Sequence, residues 1–242
     1  MRTSNPVLNE STFARGMKAH GTEVMTIDGT VNKCLIALAL MVASGYWAWN
    51  DPTFAPLVIP GIIATFVLAL VLAFKQSWAP TLTPVYAVLE GFILGVISRS
   101  FEAMYPGIVG QAVFITFGVF ACLLIAYKSR WIRVSEKFKS GLLIATGGIA
   151  LFYIGSFIAS LFGVSMNFMQ GSSMLSIGIS LVVAGVAALN LLLDFDLIEN
   201  ASASRSAPKY MEWYATFGLL VTLVWLYMEI LRLLAKLNSR RD

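Results

Sequence analysis

From Lys33 onward the chain is a succession of apolar stretches divided by short breaks, each close to the ~20 residues a helix needs to cross the hydrocarbon of a bilayer. Runs near 33–49, 56–74, 81–100, 108–127, 140–163, 173–194 and 211–235 predict seven spans. Asp51-Pro52, Trp78-Ala79-Pro80, Tyr105-Pro106-Gly107 and Ala207-Pro208 mark breaks between them. The runs are about twice the ~10 residues of a barrel strand and lack its alternation, so each is read as a helix, whose backbone is satisfied within the segment. With 58% hydrophobic and 12% charged residues among 242, no soluble domain could hide this surface. The expectation is an all-α membrane protein with a polar cytoplasmic tail at 1–32, a seven-helix bundle at 33–236 and a polar tail at 237–242. No removable signal peptide is expected.

The bases orient the bundle. With the amino terminus in the cytoplasm, twelve fall on the inner side: Arg2, Arg15, Lys18, Lys33, Lys75, Lys128, Arg130, Arg133, Lys137, Lys139, Arg205 and Lys209. Five fall outside: Arg99, Arg232, Lys236, Arg240 and Arg241. This excess matches the positive-inside pattern. The carboxyl-terminal cluster leaves one alternative, in which the last segment re-enters and only six helices cross. Trp47, Trp49, Trp78, Trp131 and Trp213 sit at span ends as interfacial anchors. Since the bases flank spans and form no patch with interleaved aromatics, no nucleic-acid partner is expected. The expected partner is the lipid bilayer.

Small residues recur along the fifth and sixth helices, at Gly147, Gly148, Gly155, Gly163, Gly178, Gly185 and Ala188, and predict close helix packing there. Cys34 and Cys122 have no metal or disulfide spacing and read as packing residues. His20, alone in the polar tail, reads as exposed. No zinc helix, nucleophile elbow, phosphate loop or dinucleotide turn is present, so enzymatic activity and a bound cofactor are not expected.

Function is therefore sought in the ionisable residues, because a charge at the membrane centre costs roughly 3 kcal/mol on the lenient scales and usually faces the bundle or a wet cavity. Glu90 falls near the middle of the third helix, where it serves either helix association or transport. Asp194 lies a turn deeper than Asp196 and Glu199, which read as a solvated helix end. Glu229 stands three residues before Arg232 and predicts an intrahelical ion pair. Lys75 ends the second helix, a position for snorkelling or for a partner to an acid.

Several segments together resemble the Bax inhibitor family, which includes bacterial YccA-like members. They are Ser4-Asn5-Pro6-Val7-Leu8 in the tail, Leu89-Glu90-Gly91-Phe92-Ile93-Leu94-Gly95, Phe117-Gly118-Val119-Phe120, Asp194-Phe195-Asp196-Leu197-Ile198 and Leu226-Tyr227-Met228-Glu229-Ile230-Leu231-Arg232. The resemblance implies a seven-helix bundle with the last helix central, and a pH-dependent calcium leak in a bacterial inner membrane. It also implies a latch of two aspartates, one ending the sixth helix and one in the seventh, which share a proton because close like charges cannot both ionise cheaply. Asp194 matches the first. For the second, one match of the seventh helix offers Glu229 and another Thr222. Along a straight helix from Tyr210, Glu229 lies roughly 28 Å away, whereas Asp194 is within about two turns of the inner surface and Glu90 about 13 Å deep. Glu90 is accordingly expected to replace the seventh-helix aspartate as the partner of Asp194, with weak calcium contact at both. Lys75 falls where the resemblance puts a base that partners the latch. Two further readings stand beside the leak. One is a non-transporting protein that modulates membrane proteolysis or stress responses, with a membrane protease as partner. The other is a proton-coupled transporter for a small solute.

Overall fold

A computed structural model of the protein describes residues 24–132, 134–162, 171 and 173–240. His20, the Ser4–Leu8 segment, Arg133 and Gly163 lie outside them. Among the described residues seven helices are long and apolar enough to cross a membrane. They are α1 Ile27–Trp49, α2 Val58–Phe74, α3 Ala79–Met104, α4 Ile108–Lys128, α5 Glu136–Leu161, α6 Met174–Ala203 and α7 Met211–Ser239, with short 3-10 turns at Pro52–Leu57 and Gln76–Trp78.

The last segment is one uninterrupted helix of 29 residues, long enough to cross a bilayer fully. The six-span alternative is therefore replaced by seven. Of the seven spans, α7 has the largest buried share, 56%, against 6% for the window in α5.

The helix ends follow from local chemistry. α1 starts at Ile27, ahead of its apolar run, because the Thr26 hydroxyl accepts the Gly29 N–H at 3.0 Å and Asp28 complements the positive end of the helix. At the other end Arg99 donates to the Trp49 carbonyl at 3.0 Å. Asp51 then caps the turn at Pro52–Leu57, accepting the Thr53 N–H at 2.9 Å and hydroxyl at 2.7 Å. Gly107, with φ of +84°, provides the left-handed residue that opens α4. α6 continues to Ala203, contrary to the expectation that the Asp194–Ile198 segment closes it. Its extension holds because Leu197 and Ile198 are still buried.

The chain divides into two compact units. The first contains α1, α2, α3, the part of α6 from Asp194 and α7 as far as Val221. Its closest packing joins α1 to α3, where a Cβ at Gly91 would lie 2.7 Å from the Met41 Cα and one at Gly95 would lie 2.9 Å from the Gly45 Cα. Trp47, Phe54 and Phe92 form an aromatic group in the same unit, with centroids 4.9 to 6.0 Å apart.

The second unit contains α4, α5, α6 up to Leu193 and α7 from Thr222. Ser135 caps α5, accepting the Phe138 N–H at 3.2 Å. Asn190 of α6 donates to the Thr146 hydroxyl of α5 at 2.9 Å, a polar tie between membrane helices. The glycines of these two helices behave otherwise than expected. At Gly147, Gly148, Gly155, Gly178 and Gly185 a Cβ would meet nothing within 4 Å. The tight small-residue contact thus belongs to α1 and α3, while the glycines of α5 and α6 border open space.

Candidate functional site

In the first unit three carboxylates enter apolar helices by different routes. Asp194 is 1% exposed, on a turn of α6 whose neighbours Leu191, Leu192, Leu193 and Phe195 are all buried. It lies within electrostatic range of the Cys34 thiol of α1, whose sulfur is 3.3 Å from the Thr216 hydroxyl of α7. Because α6 runs on to Ala203, Asp194 stands roughly 13 Å from that helix end, somewhat deeper than expected.

Glu90 of α3 is half-buried, with the hydroxyls of Thr65 of α2 and Tyr86 one turn back close enough to influence its carboxyl, while the Thr65 hydroxyl donates to the Ile62 carbonyl at 3.1 Å. Tyr86 packs edge-on against Phe217 of α7 at 4.9 Å, and Thr83 donates to the Trp213 carbonyl at 3.1 Å.

The sequence reading passes over the third acid, Glu212. Its side chain is wholly buried at the start of α7, where it accepts the Thr26 N–H at 2.9 Å and the Thr26 hydroxyl at 3.0 Å. Lys33 of α1 forms an ion pair and hydrogen bond with the second carboxylate oxygen, and Lys209 approaches the first at 3.8 Å. Gly29 leaves room for this arrangement, since a Cβ there would overlap the carboxylate. The Met25 N–H also donates to the Ala207 carbonyl at 2.8 Å, beside a bridge between Val24 and Pro208. Neighbouring Tyr210 has its phenol pushed up by burial. A charge one residue inside the last apolar run marks Glu212 in the sequence, but its partner Lys33 lies 179 residues away and resembles an ordinary loop base.

Lys75 follows directly on α2. It is exposed, with its ammonium 4.5 Å from the centroid of Trp78, an interfacial cation–π contact that suits the snorkelling reading.

The sequence match to the family described as Bax inhibitor 1 like covers residues 5–239. The chain belongs to that family. No curated protein matches it. Family membership covers all seven helices and both units of this Bax inhibitor 1-like protein.

In its second unit Glu229 is 2% exposed and makes the expected pair with Arg232, at 2.8 Å. The sequence does not reveal its other partner, the Tyr153 hydroxyl of α5, which donates to the same oxygen at 2.8 Å. One turn beyond Arg232, Lys236 donates to the Ser180 hydroxyl of α6 at 2.7 Å. Glu229 is thus held between α5 and α7 by a tyrosine and an arginine.

Proposed function

We propose that this Bax inhibitor 1-like protein is a pH-sensitive cation leak, with calcium as the favoured permeant ion. The observation that carries the reading is the nearly complete burial of Asp194 inside a membrane helix. A carboxylate buried in a membrane helix is costly and marks a functional residue, and a carboxyl group is what a pH-dependent gate needs. Glu90, with the hydroxyls near it, is the proposed second member of the latch. Among the described residues no three His, Cys, Asp or Glu side chains converge to hold a metal ion. The proposed location is a bacterial inner membrane with the amino terminus cytoplasmic, and no enzymatic activity or bound cofactor is part of the reading.

The test uses purified protein in liposomes loaded with a calcium indicator. Native protein should show flux that changes between about pH 6 and about pH 8, and Glu90→Gln and Asp194→Asn should each flatten that profile. Absence of flux by correctly folded native protein overturns the leak. An unchanged profile in Glu90→Gln removes Glu90 from the latch.

A further inference from the structure

The second unit contains a groove of about 820 Å³ between α5 and α6, lined almost wholly by apolar side chains. Gly148 and Gly178 form part of its wall, and the open space beside both widens it. Ile149, Phe152, Tyr153 and Val182 are among its lining side chains. Its size falls within the roughly 300 to 1,000 Å³ of small-molecule sites.

The rim is charged. The Arg232 guanidinium lies 5.9 Å from the Tyr153 ring centroid, and its side chain is 44% exposed. Only one of its nitrogens bonds Glu229, while a guanidinium has five N–H donors. Lys236, one turn further along α7, holds the Ser180 hydroxyl and approaches the Ser176 carbonyl at 3.5 Å. Glu229 offsets one of these two cations, leaving one net positive charge beside a lipid-facing apolar groove. A neutral apolar ligand would leave that charge unanswered, and a soluble anion would leave the groove unfilled.

We infer that the groove holds an acyl chain of an acidic phospholipid whose phosphate is met by Arg232 and Lys236. The phosphate takes the exposed donors of Arg232 in a bidentate fashion, and Lys236 adds a second positive charge. This site is independent of the leak reading, since none of its residues belongs to the proposed latch.

The test adds phosphatidylglycerol or phosphatidylcholine to the full chain in detergent and counts retained lipids by native mass spectrometry. Native protein should prefer phosphatidylglycerol by roughly fivefold, as expected for one net positive charge at about 1 kcal/mol near a membrane surface. Lys236→Gln and Arg232→Gln should each reduce that preference. Gly178→Leu, whose Cβ has no heavy atom within 4 Å and whose longer side chain occupies the groove, should lower retention of both lipids. If Arg232→Gln does not fold, Lys236→Gln and Gly178→Leu still decide the matter. Equal retention of the two lipids by native protein overturns the inference, as does a preference that both remaining variants preserve. Protection against thermal unfolding by inorganic phosphate equal to that by phosphatidylglycerol argues for a simple anion site and against the groove. A concentration-dependent dimer abolished by Gly178→Leu, without lipid preference, assigns the groove to a second copy of the chain.

Discussion

At the scale of single residues, the Lys33–Glu212 pair illustrates how much a buried charge depends on its partner. Glu212 has no exposure, whereas Lys33 retains 18%. Removing the lysine leaves a carboxylate in an apolar setting with Thr26 as its remaining close donor, apart from the more distant Lys209. Lys33→Met should therefore lower stability by about 3 to 5 kcal/mol, while Lys33→Met with Glu212→Gln should recover much of the loss. Thermal unfolding in detergent, read as a double-mutant cycle, checks both expectations. Asp51 offers a contrasting case at the surface. The Thr53 hydroxyl and N–H hold its carboxyl below the usual carboxylate range. Its depressed value means the cap contributes above the unfolded carboxylate range, near pH ~4, and is lost as the pH falls through its own lower value. Stability of native protein and of Asp51→Asn should thus converge in acid, as measured by unfolding at successive pH values.

At the scale of elements, apolar runs and breaks located all seven helices because lipid leaves a spanning backbone few alternatives. Ends were less legible: Thr26 draws α1 back to Ile27, and buried Leu197 and Ile198 carry α6 past its acidic segment. Glycine spacing also misdirected the reading. Small residues at helical intervals fit either close packing or an open face, and only the neighbours decide which. In α1 and α3 the neighbour is backbone, so Gly91→Val should cost about 1 to 3 kcal/mol or more. In α5 the neighbour is absent, so Gly147→Ala should raise stability by about 0.5 to 1 kcal/mol through helix propensity. Comparing the two variants by thermal unfolding separates the two kinds of glycine. The candidate sites were legible to the same partial degree. Charge inside an apolar run flagged Asp194, Glu90 and Glu229, but Tyr153, Thr65 and Lys33 meet those or other acids only through the fold.

At the scale of the whole molecule, seven crossings have a consequence that does not depend on any one side chain. An odd number of spans puts the two ends of the described chain on opposite sides of the membrane. On the proposed orientation, with twelve bases and the amino end on the cytoplasmic side, the cluster at Arg232, Lys236 and Arg240 faces outward. On that orientation the cluster runs against the positive-inside pattern, and the acidic lipid proposed beside the α5–α6 groove would stabilise it there. Tags at the two termini, tested for protease access in sealed vesicles of known orientation, should be cleaved in opposite preparations. Cleavage of both tags in the same preparation would mean that the last helix returns, and the basic carboxyl end would then need no lipid to hold it outside.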